Sequence, residues 1–424
     1  MPTARDPRLA GRVAFTYPNF VSYSLARFFV VLALEMQSVA VAWQVYEVTQ
    51  RPIDLGYVGL AQFAPGFVLF LFAGHAADIF DRRKLLMTCY AGFALCSGLL
   101  LFISRFSPHS VHAIYVVLVM LGILRSFSFP VSRAILPQLV PEEHFSNAVA
   151  WNASTLQMSN IAGPAIGGLA YAWFHGPAGV YALSLAVSIA SVLLTLRIHP
   201  FKTSLNRGGT EREPITPRSV FAGFRFIWMK KLILGSITLD MFAVLLGGAV
   251  ALLPVYAKTI LHTGPWGLGL LRSAPGVGAA LMAIVVAYRP IKRRAGLTML
   301  MAVASFGILT ILFGISHNLI LSILALFLLG ASDMVSVIIR ATLVQIATPD
   351  EMRGRVNAVD FLFIGVSNEL GEFESGLTAQ WLGAVPAVIL GGVGTLLVIG
   401  LWAWIFPELR KADQLTVAEL MPKD

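Results

Sequence analysis

Apolar runs of roughly 20 to 30 positions, separated by short polar stretches, recur from Phe20 to Phe406. About 20 apolar residues in helical form cross the hydrocarbon layer of a bilayer, so each run predicts a spanning helix. Loop breakers divide the pattern into twelve spans, at 20–47, 55–77, 84–104, 111–134, 145–173, 178–198, 230–258, 265–288, 297–316, 318–342, 354–382 and 385–406. One connection is long. Residues 199–229 are rich in Pro, Gly, Thr and Arg and read as a linker between a first half, 1–198, and a second half, 230–424.

Composition agrees with that pattern. Of 424 residues, 57% are hydrophobic and 12% charged, which is too apolar for a soluble core of this size. An all-α membrane protein is expected, with no room for a soluble enzyme domain. The net charge of +9 comes from bases in the loops rather than on one face, so anionic lipid, not nucleic acid, is the expected partner. With both termini cytoplasmic, 25 Lys and Arg fall on the inner side against Arg51, Arg105 and Lys258 outside, Arg340 being counted among the inner span ends. The first apolar run is of spanning length and lacks a small-residue cleavage pattern, so it reads as a retained helix. Cys89 and Cys96 lie two turns apart in one span and read as packing residues. The histidines are scattered near loops. No metal spacing, phosphate-binding loop or nucleophile elbow is present, so no cofactor and no enzyme activity are expected.

The second half is a diverged copy of the first. Arg133-Ala134-Ile135-Leu136-Pro137-Gln138 recurs as Arg340-Ala341-Thr342-Leu343-Val344-Gln345 at an offset of 207, and Pro141-Glu142-Glu143 recurs as Pro349-Asp350-Glu351 at 208. Ala64-Pro65-Gly66 returns as Ala274-Pro275-Gly276. Two sets of six spans follow.

Between spans two and three stands Gly74-His75-Ala76-Ala77-Asp78-Ile79-Phe80-Asp81-Arg82-Arg83-Lys84. It resembles the loop signature of the major facilitator superfamily, G-x-x-x-D-x-x-G-R-[RK], with Asp81 where the second glycine is usual. Gly74 permits close helix approach, Asp78 suits a helix N-terminus, and Arg82 and Arg83 stay on the inner side. In span five, Ser159-Asn160-Ile161-Ala162-Gly163-Pro164-Ala165-Ile166-Gly167-Gly168 resembles that superfamily's antiporter motif, with Ser159 for its first glycine. Gly163, Gly167 and Gly168 allow tight packing and Pro164 a bend, which serves either a seal or ordinary helix contact. The chain as a whole resembles the enterobactin-exporter-like, or transmembrane secretion effector, branch. That resemblance implies a monomeric, proton-driven exporter of a small amphipathic organic compound, siderophore or drug-like, in the bacterial inner membrane. An importer or facilitator, a lysophospholipid flippase and a non-transporting sensor remain as alternatives.

By the superfamily's arrangement, the first and fourth helices of each half line a central cavity. Here these helices carry Glu35, Arg125, Asp240 and Asp333, with Gln37, Trp43, Phe127 and Phe242 as candidate lining residues. Arg125 is either a partner that holds a carboxylate until substrate or proton displaces it, or half of a fixed salt bridge. At the offset of 208, Gly163–Gly168 becomes Gly371-Glu372-Phe373-Glu374-Ser375-Gly376, so acids replace the kink. With Glu369, three carboxyls stand at or beyond the middle of span eleven, where unpaired charge costs about 2.5–3.5 kcal/mol each. Pairing, wetting or protonation must relieve them. Glu369 and Glu372 share a face at i,i+3 and Glu374 points elsewhere.

This reading makes a first prediction: Glu372→Gln keeps shape and removes titration. Folding and substrate binding should persist while gradient-driven accumulation is lost. Uphill transport at the wild-type rate would move the coupling role to Asp333, Asp240 or Glu35.

Overall fold

The computed structural model describes residues 11–199, 217–291 and 293–412, apart from the side chains of residues 70, 71, 73–75, 77, 78, 217–220 and 350. The expected parts played by Gly74 and Asp78 therefore fall outside the described side chains. Only helices and turns occur among the described residues.

The first six helices are α1 (Pro18–Thr49), α2 (Pro52–Ile79), α3 (Arg82–Phe106), α4 (Val111–Ile135), α5 (Phe145–Trp173) and α6 (Pro177–Leu196). After the linker come α7 (Pro217–Met229), α8 (Lys231–Leu246), α9 (Gly264–Tyr288), α10 (Ala295–Gly314), α11 (Leu319–Ile346), α12 (Asp350–Leu382), α13 (Ala384–Ile405) and the short α14 (Pro407–Lys411). Nine stretches among the described residues are long and apolar enough to cross a membrane, α8 being counted with its continuation to Ile260. Helices α2, α5 and α12 are 28, 29 and 33 residues long but fall outside those nine. Exposed Trp173, Tyr288, Trp381 and Trp404 sit at helix ends, positions that aromatic residues favour in membrane helices.

Two details differ from the expected pattern. Residues 217–229 are helical, not linker: Gly223 lets α7 lie so close to α12 that an added Cβ would stand 2.6 Å from the Arg355 carbonyl. Span seven is broken. Helix α8 stops at Leu246, passes through Gly247 and Gly248, and resumes as tight, α and wide turns to Ile260. Two adjacent glycines lower helix propensity by about 1 kcal/mol each, which places the break.

By contacts, the chain falls into two units, one of residues up to Val41 with Ala61 up to the linker, the other of Ala42–Leu60 with everything beyond the linker. In the first unit, α1 is the hub. Gln37 accepts from Ser97 of α3 at 2.8 Å, Tyr23 donates to the Ser132 carbonyl of α4 at 2.7 Å, and Ser184 of α6 donates to the Ala33 carbonyl at 3.2 Å. Along α5, Ser159 donates to the Phe28 carbonyl at 3.0 Å, and Cβ atoms built on Gly163 and Gly167 would come within 2.4 Å of Glu35 and 2.7 Å of the Met36 carbonyl. The seam advances one turn at a time. Ser159, in place of a glycine, is thereby accounted for: its hydroxyl reaches a carbonyl on the facing backbone.

The loop after α2 is also tied down. Asp81 caps α3 by accepting from the Lys84 N–H at 3.0 Å, which explains the departure from glycine there. Arg82 donates to the Ala134 carbonyl at 3.1 Å and Arg83 to the Leu196 carbonyl. Both guanidiniums thus meet the negative ends of helix dipoles, at α4 and α6. Cys89 and Cys96 are buried, free thiols.

In the second unit, α8 is the corresponding hub. Thr395 of α13 donates to the Ala243 carbonyl at 3.1 Å, Trp402 donates to Thr238 at 3.0 Å, and Phe242 packs on Trp402. The seam at Gly167 yields a second prediction. Gly167→Leu should lower the thermal unfolding midpoint and membrane abundance, at an overpacking cost of about 1–3 kcal/mol or more, with Gly167→Ala intermediate. An unchanged midpoint for both would refute the close α1–α5 contact.

Candidate functional site

The two charged residues of α11, Asp333 and Arg340, share a face with Ser336, at i, i+7 and i+3. Helix α8 brings Asp240 to that face and α12 brings Asp360. Asp240 lies 3.4 Å from the Arg340 guanidinium, and Asp360 makes a hydrogen-bonded ion pair with it. Arg340 is 3% exposed and Asp240 6%. Asp333 shares a small cavity with Asp240, Val244, Val303, Phe306 and Ser336, and lies within electrostatic reach of Asp240 and Arg340. The Arg340 Nε and the Ser336 hydroxyl are buried without a hydrogen-bond partner.

One cation therefore serves three carboxyls. In a membrane interior such a set is costly unless its surplus negative charge is neutralised from outside the chain. Helix geometry gives the depth: Asp360 is ten residues into α12, about 15 Å from its start, and Asp240 nine residues into α8, about 14 Å.

Sequence reading had grouped Arg340 with the inner, span-end charges; the structure corrects this, since it is buried and ion-paired. Asp360 was missed altogether. It lies close to the expected start of span eleven, where a charge looks interfacial. The usable signal was the seven-residue spacing of Asp333 and Arg340, the two charges of their helix.

Other candidates lie elsewhere. Glu369 and Glu372 converge on Gly59 of α2, where an added Cβ would stand 3.2 Å and 2.8 Å from their carboxyl oxygens. Around them α2 and α12 touch backbone to backbone, through Gly56 at Phe373 and Gly376 at Pro52. Glu374 is turned along its own helix and accepts from Thr378 at 2.7 Å. Glu35 stands against Gly163, and Pro164 and Gly168 are buried within a continuous α5. Arg125 takes part in no ion pair among the described residues. Gln37 and Trp43 are buried, Phe127 is half-buried, and Phe242 belongs to the packing around Trp402.

The family model described as "Transmembrane secretion effector" matches residues 14–423. Enterobactin exporter EntS of Escherichia coli O81 (strain ED1a) is 28% identical over 405 residues, covering 94% of each chain. Among solved structures, the D-xylose-proton symporter superposes with a TM-score of 0.70 at 12% identity, covering 93% of this chain and 99% of that one. The nucleoside transporter NupG does so with 0.68 at 13%, with coverage of 93% and 99%. Those likenesses establish a shared major facilitator fold.

The cluster generates a third prediction. Arg340→Met leaves buried carboxyls without their cation and should destabilise the protein by about 3–5 kcal/mol. Adding Asp240→Asn and Asp360→Asn should recover most of that loss, read as the thermal midpoint in detergent. If the triple variant were no more stable than Arg340→Met, the arginine would matter for packing rather than charge.

Proposed function

This chain belongs to the transmembrane secretion effector family of major facilitator transporters, and from that premise we propose that it exports a small amphipathic organic compound in exchange for protons. The export direction draws on its likeness to EntS and on the antiporter-like motif of α5. The reading further takes twelve spans in two six-helix halves, 1–198 and 230–424, joined by the segment 199–229, with both termini in the cytoplasm of a bacterial inner membrane. The protein works as a monomer.

The observation that carries proton coupling is the surplus of carboxyls around Arg340. With all four groups ionised, three negative charges face one positive charge. A guanidinium does not give up its proton in a protein, so the balance is adjusted on the acids. A proton on Asp240 frees Arg340 to hold Asp360 alone, and its departure restores the second ion pair; a proton on Asp333 removes the repulsion between Asp333 and Asp240. Loading thus switches the ties among α8, α11 and α12, three helices that must shift if access alternates. Glu369 and Glu372, further along α12, form a second proton-accepting pair in this scheme. It stands against Gly59, between the close contacts at Gly56 and Gly376.

The test begins by comparing metabolites exported by cells with and without the protein. A compound so identified is then supplied to proteoliposomes holding a pH-sensitive dye. The wild type should accumulate it when a proton gradient is imposed and should move protons when it is added. Asp333→Asn should retain exchange down the substrate gradient and lose at least about tenfold in uphill accumulation, the scale set by 1.4 kcal/mol. Substrate movement indifferent to the proton gradient in the wild type would end the antiport reading.

A further inference from the structure

The first unit carries the opposite electrical problem. Arg27 lies nine residues into α1, about 14 Å from the helix start, and is only 7% exposed. Its Nη1 donates to the Tyr23 hydroxyl at 3.1 Å and to Asn152 Oδ1 at 2.9 Å. Both partners are neutral. Among the described residues, Nε and Nη2 donate to nothing, and no carboxylate lies in ion-pair range. A second cation, Arg133, is within electrostatic reach, its guanidinium over the Phe129 ring at 4.4 Å.

An independent observation points to the same place. Tyr90 of α3 is 1% exposed and stands beside Tyr23, Arg27 and Ser132; its hydroxyl makes no well-formed hydrogen bond, the Ser132 side chain being near enough only to engage it weakly. A buried hydroxyl and a buried guanidinium with open donors, side by side at membrane depth, are each costly alone. One oxyanion would satisfy both.

The second unit shows what the chain does when it supplies the anion itself. At the offset of 208 that relates Gly163 to Gly371, Asn152 corresponds to Asp360, the acid paired with Arg340. In the first unit that position is a neutral amide, so the counter-ion has to come from elsewhere.

We propose that Arg27 and Tyr90 form an anion site that takes the carboxylate or phenolate of the transported compound. The cargo is thus an organic anion. This deepens the export reading and rests on it for the anion's identity as cargo. Arg27 supplies charge-assisted hydrogen bonds from Nε and Nη2, Tyr90 donates a third, and Asn152 and Tyr23 hold the guanidinium in place.

The test uses the full chain in lipid nanodiscs with 1-naphthoate and its uncharged twin, 1-naphthamide, by calorimetry without any ion gradient. The carboxylate should bind at least about tenfold more tightly than the amide, the scale of a charge-assisted hydrogen bond. Arg27→Gln should erase that preference, and Arg27→Lys should restore part of it. Tyr90→Phe should reduce it several-fold. Asn152→Asp is the decisive variant, because it keeps Arg27 and gives it an internal counter-ion of the kind the second unit already folds with. It should abolish the carboxylate preference while the thermal midpoint stays the same or rises. No binding of 1-naphthoate, equal binding of the two probes, or a preference that survives Asn152→Asp would overturn the site. Because no gradient is used, that failure leaves proton coupling standing. Conversely, an intact preference without proton movement would sink the antiport reading alone.

Discussion

Arg340 must be shared. Buried in α11, it holds Asp360 of α12 and Asp240 of α8, with Asp333 two turns back on its own helix. A single guanidinium cannot neutralise three carboxyls, and no further cation pairs with the set among the described residues. The constraint reaches the rest of the second unit. Helix α8 can be its hub only while Asp240 stays balanced, and the glycine break just after it relieves α8 of continuing as a rigid rod. Whatever neutralises the acids therefore acts on the element that holds the unit together.

The first unit uses the same kind of position for the opposite charge. Its arginine sits on α1 rather than α4, and its partner on α5 is an amide. The equivalent of Arg340, Arg133, is exposed and stacked on Phe129. Positions repeated between the two units have thus been given two electrical characters by changing a few side chains. The α1–α5 seam is close backbone packing through Gly163 and Gly167.

Much of the fold was legible because hydropathy reports burial in lipid directly. Span five, read as 145–173, coincides with α5, and most other ends fall within a few residues. The break in span seven escaped notice because Gly247-Gly248 sits in a run whose mean apolarity never drops. Helix 217–229 was hidden by the bases around it. The site was harder, since a charge near a span end looks the same in sequence whether it reaches water or turns inward. Asp360 and Arg340 turn inward because each meets the other, a contact between residues 20 positions apart on different helices. Arg27 was obscured for the related reason that its partners are uncharged. Glu369 and Glu372 share a face as their spacing implied, and what they face, the backbone at Gly59, has no signature in α12 itself.

The central claim is that a carboxyl of the Arg340 cluster gains and loses a proton during the cycle. The most direct measurement is an infrared difference spectrum of the protein in lipid, with and without its exported substrate. The account predicts a carboxylic-acid carbonyl band that changes on substrate addition, shifts on exchange into heavy water, and vanishes in Asp333→Asn or Asp240→Asn. A spectrum with no carboxylic-acid change, or one untouched by both substitutions, would contradict it.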